Sequence, residues 1–264
     1  MARSALLNVM VNAVTKAGRG LARDFGEVEN LQVSVKGPAE FVSAADHRAD
    51  QILIAELQKA RPGYGFLTEE TGAIEGSDKT HRWIIDPLDG TTNFLHGIPI
   101  FAISVALERE GQLVAGVVYN PVANELFVAE RGNGAFLNDR RLRVARRLEL
   151  LDAVIATGIP HRARGDHAAF NRELPHLMQR VAGVRRCGAA AIDLAWIAAG
   201  RFDAFWERGL HPWDMAAGIV LIEEAGGIVS DVDGGRGMME NGSVVAGNTT
   251  LQPRLLTELS AARR

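Results

Sequence analysis

The stretch that most constrains this chain is residues 83–94, with the sequence Trp-Ile-Ile-Asp-Pro-Leu-Asp-Gly-Thr-Thr-Asn-Phe. Its apolar start, residues 83–85, predicts a buried strand. Pro87 predicts that the strand stops there, because proline offers no N–H to a ladder and disfavours helical geometry in the preceding residue. Two carboxylates, Asp86 and Asp89, are therefore expected to flank a turn at the end of a strand.

The residues around this turn have the chemistry of a metal and phosphate site. Asp86, Asp89 and the carbonyl of Leu88 are closely spaced oxygen donors, which suit Mg²⁺ better than zinc. Gly90 lets the backbone approach a ligand, and Thr91 is placed to open a short helix whose free N–H groups face an anion. Asp-Pro and Asp-Gly are also common in surface turns, so the hypothesis depends on further acids elsewhere in the chain.

The composition excludes several classes of protein. Of 264 residues, 47% are hydrophobic and 23% are charged, as in a globular protein with one large core or two packed halves. A formal net charge of −3 gives no bulk attraction to nucleic acid or to anionic membranes. No stretch approaches the roughly 20 apolar residues of a membrane span. With a single cysteine, Cys187, and no signal-peptide pattern, we expect a cytoplasmic protein without internal disulfides.

Two further acids, Glu69 and Glu70, follow a second apolar run at residues 65–68. If this run pairs with residues 83–85 as a neighbouring strand, Glu69 and Asp86 meet at the same end of a sheet. Adjacent glutamates are also common on solvated faces. The polar, glycine-containing segment 71–80 is predicted to be a mobile loop between the two strands.

The other patterns of the first half predict two helices and a β-meander. Helical spacing of apolar residues predicts a helix from residue 5 to about residue 25, and residues 32–36 alternate like a strand. Ser43 and Asp46 resemble a capping box before a second helix. Residues 101–137 predict four strands joined by short turns.

The pattern changes to alternating strands and helices after about residue 150, which divides the chain into halves 1–148 and 149–264. The arginine-rich segment 139–147 is interpreted as a solvated strand edge between the halves, with a basic contact patch as the alternative. Gly188 precedes a helix that begins with small residues, which leave backbone room for a ligand but are explained equally well by close helix packing. Asp214 lies in the first turn of a later helix, where an acid also favours the helix dipole.

Three motifs resemble the signatures of the inositol monophosphatase family: Phe-Leu-Thr-Glu-Glu at 66–70, the stretch at 83–94, and Trp-Asp-Met-Ala-Ala-Gly at 213–218. The resemblance covers nearly the whole chain and is greatest to the bacterial SuhB-like branch. It implies a mixed α+β and α/β fold, a layered αβαβα sandwich of the inositol monophosphatase and fructose bisphosphatase type. It also implies a homodimer, dependence on Mg²⁺ and inhibition by Li⁺.

The resemblance further implies how Mg²⁺ is held. Glu69, Asp86 and the Leu88 carbonyl would bind one ion. Asp86, Asp89 and Asp214 would bind a second, so that Asp86 bridges the two. Glu69 would also help to hold a third ion, which gives two or three ions per active site.

Catalytic and substrate-binding roles follow from the same resemblance. Thr91, oriented by Asp46, would act with Glu69 to position and deprotonate the attacking water. Backbone N–H groups at Gly90 and Thr91 would hold phosphate oxygens. The residues implied to contact substrate are Glu69, Leu88, Asp89, Gly90, Thr91, Gly188, Ala189, Ala190, Glu207 and Asp214.

The sequence therefore predicts a Mg²⁺-dependent phosphomonoesterase that cleaves myo-inositol 1-phosphate, or a similar small polyol or sugar phosphate, by in-line attack of water. Relatives that act on histidinol phosphate, fructose 1,6-bisphosphate, NADP or a sulfated nucleotide share the metal motifs, so these substrates are alternatives. Thr68 stands where many relatives have glycine, and such departures bear on selectivity. Another class of function is a regulatory contact with the transcription machinery, for which Arg185, Arg186 and the arginines of 140–147 are the hints.

Overall fold

The computed structural model of the protein describes residues 3–31, 38–160 and 165–263, with side chains outside the segment 29–43. The strand expected over 32–36 lies outside the described residues. Two long helices, α1 (Ala5–Leu31) and α2 (Pro38–Ala60), come first and pack against each other.

The predicted start of α1 at residue 5 is confirmed, but the predicted end of α1 and the predicted start of α2 are wrong. α1 continues past Gly26 because that glycine lies on the exposed face, whereas Val28 extends the buried stripe that includes Leu21. α2 begins at Pro38, so Ser43 lies inside the helix and does not cap it. Proline suits a first helical turn, since its missing N–H would have no intrahelical acceptor there.

The described residues of the first half form an eight-stranded sheet in the order β2-β1-β3-β4-β5-β6-β7-β8. A short helix, α3 (Thr91–Leu95), follows the third strand. The predicted meander is confirmed, and so is the strand-edge interpretation of the arginine-rich segment, whose strand lies at the sheet edge with exposed side chains. The strands are β1 (Tyr64–Thr68), β2 (Gly72–Ile74), β3 (Asp78–Asp89), β4 (Ala102–Arg109), β5 (Gln112–Asn120), β6 (Glu125–Glu130), β7 (Gly134–Leu137) and β8 (Arg140–Arg141).

Two expectations about this sheet are corrected. The segment 71–80 is not simply a loop, because β2 folds back antiparallel onto β1. β3 does not stop at Pro87 but runs to Asp89, with a register shift between Asp86 and Asp89 opposite β4. A bulge of this kind leaves residues out of the ladder, so the missing N–H of proline breaks no ladder bond there.

The described residues of the second half form a five-stranded sheet in the order β10-β9-β11-β13-β12. Asp166 caps α4 (His167–Met178) by accepting a hydrogen bond from the N–H of Ala169 at 2.9 Å, and Pro175 lies inside this helix without ending it. The helices and strands of the second half are β9 (Val154–Thr157), α4 (His167–Met178), β10 (Gly183–Arg185), α5 (Ala190–Ala198), β11 (Ala204–Arg208), α6 (Pro212–Glu224), β12 (Ile228–Ser230), α7 (Met238–Asn241), β13 (Ser243–Gly247) and α8 (Leu251–Ala262).

Buried apolar side chains among the described residues form three clusters: one between the first two helices and the first sheet, one around α5 and α6 between the two sheets, and one between the second sheet and α4 with α8. The layers are α1 with α2, the first sheet, α5 with α6, the second sheet, and α4 with α8. The predicted αβαβα sandwich is thus confirmed. The division into halves 1–148 and 149–264 stays a prediction, since α6 packs directly on β5 of the first sheet. Within the described part of the chain, no helix combines the length and apolarity needed to cross a membrane.

Candidate metal centre and active site

Parallel pairing of β1 with β3 brings the first two predicted acids together. Thr68 lies opposite Ile85 in the register, and the N–H of Glu69 donates to the Ile85 carbonyl at 3.1 Å. Glu69 and Asp86, each one residue further along its strand, therefore emerge side by side at one end of the sheet. This juxtaposition is the one predicted from the two apolar runs.

The bulge in β3 orients the two aspartates of the central motif. Asp86 accepts a hydrogen bond from the N–H of Leu88 at 2.9 Å, which turns its carboxylate back over the bulge. Asp89 accepts from the N–H of Ala191 at 2.7 Å, in the first turn of α5. Asp89 thus ties the end of β3 to the segment that begins at Gly188.

Asp214 reaches the same place from the first turn of α6. Its Oδ2 accepts a hydrogen bond from the N–H of His211 at 2.8 Å, so the carboxylate caps the helix as well. The Ser104 hydroxyl of β4 donates to the Trp213 carbonyl at 3.1 Å and fixes this helix start on the sheet. The capping role and a ligand role are compatible, because a carboxylate has two oxygens.

Among the described side chains, Asp86, Asp89 and Asp214 each offer a carboxylate oxygen, and these oxygens lie within 4.8 Å of one another. Burial raises the pKa of Asp86 well above its usual range, and repulsion from Asp89 and Glu69 adds to the effect. Burial and Asp214 likewise raise the pKa of Asp89, although the N–H of Ala191 opposes the shift. Carboxylates this close repel one another, so the set fits a divalent cation that prefers oxygen donors.

In the structure, Asp46 interacts with Glu70, and Thr91 with Leu88. Asp46 is 4% exposed, and burial raises its pKa to about 9, with further contributions from Glu70 and Glu69. The Thr91 hydroxyl donates to the Leu88 carbonyl at 3.1 Å. Orientation of Thr91 by Asp46 therefore stays a prediction, as do the ligand roles of Glu69 and of the Leu88 carbonyl.

Asp89 and Asp214 line a cleft. The predicted substrate-binding residues that line the same cleft are Gly188, Ala189, Ala190 and Glu207. Gly90 adjoins these residues, because a Cβ on it would lie 3.1 Å from the Cβ of Ala189. Its φ of 90° also lies in the left-handed region, which favours glycine. The cleft therefore joins a cation site to a wall of small residues in which the Glu207 carboxylate can accept hydrogen bonds from an alcohol.

Several residues that shape this cleft are not among those predicted from the sequence. Gly158 lies beneath Glu207, since a Cβ there would be 1.8 Å from the glutamate Oε1. Asn93 donates from Nδ2 to the carbonyls of Ile100 and Cys187, at 2.7 and 2.9 Å, and so holds the wall against α3. Asp193 also lines the cleft, and burial raises its pKa to about 7. Two of these residues have a sequence signal: Asn93 is part of the Thr-Thr-Asn motif, and Gly158 follows the apolar run 153–157.

The comparisons with known proteins agree with this geometry. A model of the inositol monophosphatase family matches residues 2–264. The chain is 67% identical to an inositol-1-monophosphatase of Mesorhizobium japonicum over 256 residues, which are 97% of this chain and 96% of that protein. It is 45% identical to the Nus factor SuhB of Pseudomonas aeruginosa over 261 residues, which are 96% and 95% of the two chains.

The solved structures agree as well. The extragenic suppressor protein suhB of Bartonella henselae matches with a TM-score of 0.90 at 57% identity, over 97% of this chain and 98% of that one. The sequence matches span almost the full length of both partners, and the carboxylate cluster lies where the central motif predicts it. This chain therefore belongs to the inositol monophosphatase family.

Proposed function

We propose that this protein is a Mg²⁺-dependent phosphatase that hydrolyses myo-inositol 1-phosphate or a similar small polyol or sugar phosphate. The observation that carries the proposal is the cluster of Asp86, Asp89 and Asp214 at a cleft that also contains Glu207. Proteins named inositol-1-monophosphatase that are 57–67% identical to this chain support the choice of substrate.

The residues proposed to hold Mg²⁺ are Asp86, Asp89 and Asp214, with Glu69 and the Leu88 carbonyl completing the donor set. The two or three ions expected per active site would supply positive charge to the phosphate oxygens and make a water molecule more acidic. The chain itself contributes closely spaced buried carboxylates, whose mutual repulsion falls when cations bind.

The side chains around this site are proposed to position the attacking water and to remove one proton from it. Glu69 extends from the end of β1 next to Asp86, where its carboxylate would accept a proton from the attacking water. Thr91 donates its hydroxyl hydrogen to the Leu88 carbonyl, which leaves its oxygen lone pairs to accept a hydrogen bond from that water. In the cation-free protein, burial raises the pKa of Asp46 to about 9, so this carboxyl carries a proton at neutral pH and adds no negative charge beside Glu69.

The rest of the cleft is proposed to bind the two ends of the ester. The N–H groups of Gly90 and Thr91 precede the first intrahelical bonds of α3, so they are available to phosphate oxygens. Glu207 on β11 and the backbone near Ala190 face the alcohol, where a carboxylate accepts hydrogen bonds from sugar or polyol hydroxyls.

Phosphate release from a panel of esters tests the proposal. The panel contains myo-inositol 1-phosphate, histidinol phosphate, fructose 1,6-bisphosphate, NADP and a sulfated nucleotide, each with and without Mg²⁺. We expect Mg²⁺-dependent turnover with the highest kcat/KM for inositol phosphate, and lower turnover when Li⁺ is added. Preference for another ester would change the substrate but keep the reaction, whereas no turnover of any ester by the folded protein would contradict the proposal.

A second candidate function is a regulatory contact with the transcription machinery. Relatives 43–45% identical to this chain carry the name Nus factor SuhB, which favours this role. Arg140, Arg141 and Arg185 are exposed and available to such a partner. Binding to transcription factors in a pull-down should persist in Asp86→Asn if the role is independent of catalysis, and absence of any binding by the wild type would exclude it.

We also propose that the protein is cytoplasmic, as its single cysteine indicates, and that it is a homodimer, as the family resemblance implies. Size-exclusion chromatography with light scattering should give twice the mass of 28.5 kDa, and a monomer across the accessible concentrations would contradict this.

A further inference from the structure

Glu69 and Glu70 lie in the tight turn between β1 and β2, whose ends pair at Thr68 and Gly72. The Glu69 N–H also donates to the Ile85 carbonyl at 3.1 Å, which joins the turn to β3. These backbone contacts all lie within the sheet. Side-chain contacts join the turn to the helix that packs beside it.

Those contacts come from α2. Asp46 and Asp50 are four residues apart, so they lie on the same face of the helix. Asp46 forms a hydrogen bond with Glu70, and His47 Nδ1 lies 2.5 Å from a Glu70 carboxylate oxygen. Asp50, only 1% exposed, reaches the residues on both sides of the glutamate pair.

Asp50, Thr68 and Thr71 form a hydrogen-bonded unit that we call the Asp50 brace. The Thr71 hydroxyl donates to Asp50 Oδ2 at 2.5 Å. The Thr71 N–H donates to the Thr68 hydroxyl at 2.9 Å, and that hydroxyl lies 3.5 Å from the same Asp50 oxygen. The two threonines, one on each side of Glu69 and Glu70 in the sequence, are thus bonded to each other and to α2.

The chemistry of the brace explains why a threonine stands at position 68. Thr68 is fully buried, so its hydroxyl must find partners, and it finds the Thr71 N–H and Asp50. A glycine there would provide neither the acceptor for the Thr71 N–H nor the second contact to Asp50. Bonds to a buried carboxylate are stronger than those between neutral groups, so the brace restrains the turn effectively.

We propose that Asp50, through Thr68 and Thr71, is a positioning residue that holds the Glu69 turn in its metal-binding conformation before Mg²⁺ arrives. This inference rests on the proposed function, because it concerns the same cation site. A preformed turn means that binding a cation does not have to order Glu69, so loss of the brace weakens Mg²⁺ affinity rather than the chemical step.

A matched pair of variants tests the brace. Thr71→Val keeps the size and β-branching of the side chain but removes the hydroxyl, whereas Thr71→Ser keeps the hydroxyl. Thr257→Val is the control, because it removes a hydroxyl that donates to the Pro253 carbonyl on α8, away from the cleft. Mg²⁺ affinity is measured by titration calorimetry without substrate, and kcat by phosphate release at saturating Mg²⁺.

We expect Thr71→Val to raise the Kd for Mg²⁺ about tenfold or more, in line with the loss of a hydrogen bond to a charged group. Thr71→Ser and Thr257→Val should bind Mg²⁺ as the wild type does, and kcat of Thr71→Val at saturating Mg²⁺ should stay within a few-fold of wild type. Thermal unfolding checks that all variants are folded.

The inference is overturned if Thr71→Val binds Mg²⁺ as tightly as the wild type, if Thr71→Ser is as weak as Thr71→Val, or if the wild type binds no Mg²⁺. It is also overturned if Thr257→Val shows the same loss. Failure of the proposed function gives a different result: Mg²⁺ binding follows the expected pattern while no phosphate ester is turned over.

Discussion

The contact between Gly158 and Glu207 predicts a selective effect of one added methyl group. In Gly158→Ala, the new Cβ would lie 1.8 Å from Glu207 Oε1 and 2.0 Å from its Cδ. Ordinary contact begins near 3.4 Å, so the carboxylate must retreat by about 1.6 Å. Gly158 does not have a positive φ, and the alanine itself therefore brings no backbone strain.

The magnitude follows from the role proposed for Glu207 at the alcohol end of the substrate. A displacement of about 1 Å in a positioning group can cost on the order of 100-fold in rate, so we expect a loss of roughly 100-fold in kcat/KM for myo-inositol 1-phosphate. A substrate without ring hydroxyls, such as 4-nitrophenyl phosphate, should lose much less, because it makes no hydrogen bond to Glu207.

A double-mutant cycle separates this mechanism from general damage. In a Glu207→Ala background the added methyl meets no carboxylate, so Gly158→Ala should then cost little further activity. Full activity of Gly158→Ala toward inositol phosphate, or the same loss in both backgrounds, would show that displacement of Glu207 is not the cause.

Two other predictions concern stability and metal binding. Burial acts to raise the pKa of Asp231, but N–H donors, led by that of Gly235 at 2.7 Å, outweigh it and lower the pKa. A carboxylate whose pKa is lower in the folded than in the unfolded state stabilises the fold at pH values above its unfolded pKa. This contribution is lost as the pH falls through the folded pKa. Asp231→Asn should therefore lower the free energy of unfolding by about 1–3 kcal/mol at pH 7, and the difference from wild type in urea titrations should shrink below about pH 4; equal stabilities at pH 7 would contradict this. Gly116→Ala would place a Cβ 2.6 Å from the Ala217 carbonyl oxygen of α6, so it should destabilise by about 1–3 kcal/mol and weaken Mg²⁺ binding at Asp214. Unchanged denaturation and calorimetry would exclude that displacement.

The site was largely predictable because its acids are attached to patterns that sequence shows directly. The apolar runs before Glu69 and Asp86 predicted neighbouring strands, and the register of β1 with β3 confirms the pairing. Asp214 was recognisable at a helix start, where the structure places it. In each case a buried strand or a buried helix fixes the direction of the acid.

The errors arose where tertiary burial outweighed local signals. Gly26 reads as a helix end, but it is exposed while Val28 is buried, so α1 continues. Pro87 reads as a strand end, but the bulge accommodates it. The Asp50 brace joins residues 21 positions apart through a hydroxyl and a carboxylate, and no periodic pattern marks such a contact.

The central claim is that the buried carboxylates form the metal centre of a phosphatase, and Asp86→Asn tests it most directly. The amide keeps an oxygen to accept the Leu88 N–H, so the bulge is preserved while a buried, repelled charge is removed. We predict that Mg²⁺-dependent phosphate release from myo-inositol 1-phosphate falls by more than about 100-fold, beyond the effect of losing an outer partner of a metal site. The cation-free protein should at the same time unfold at a higher temperature than wild type. Turnover within a few-fold of wild type would contradict the claim.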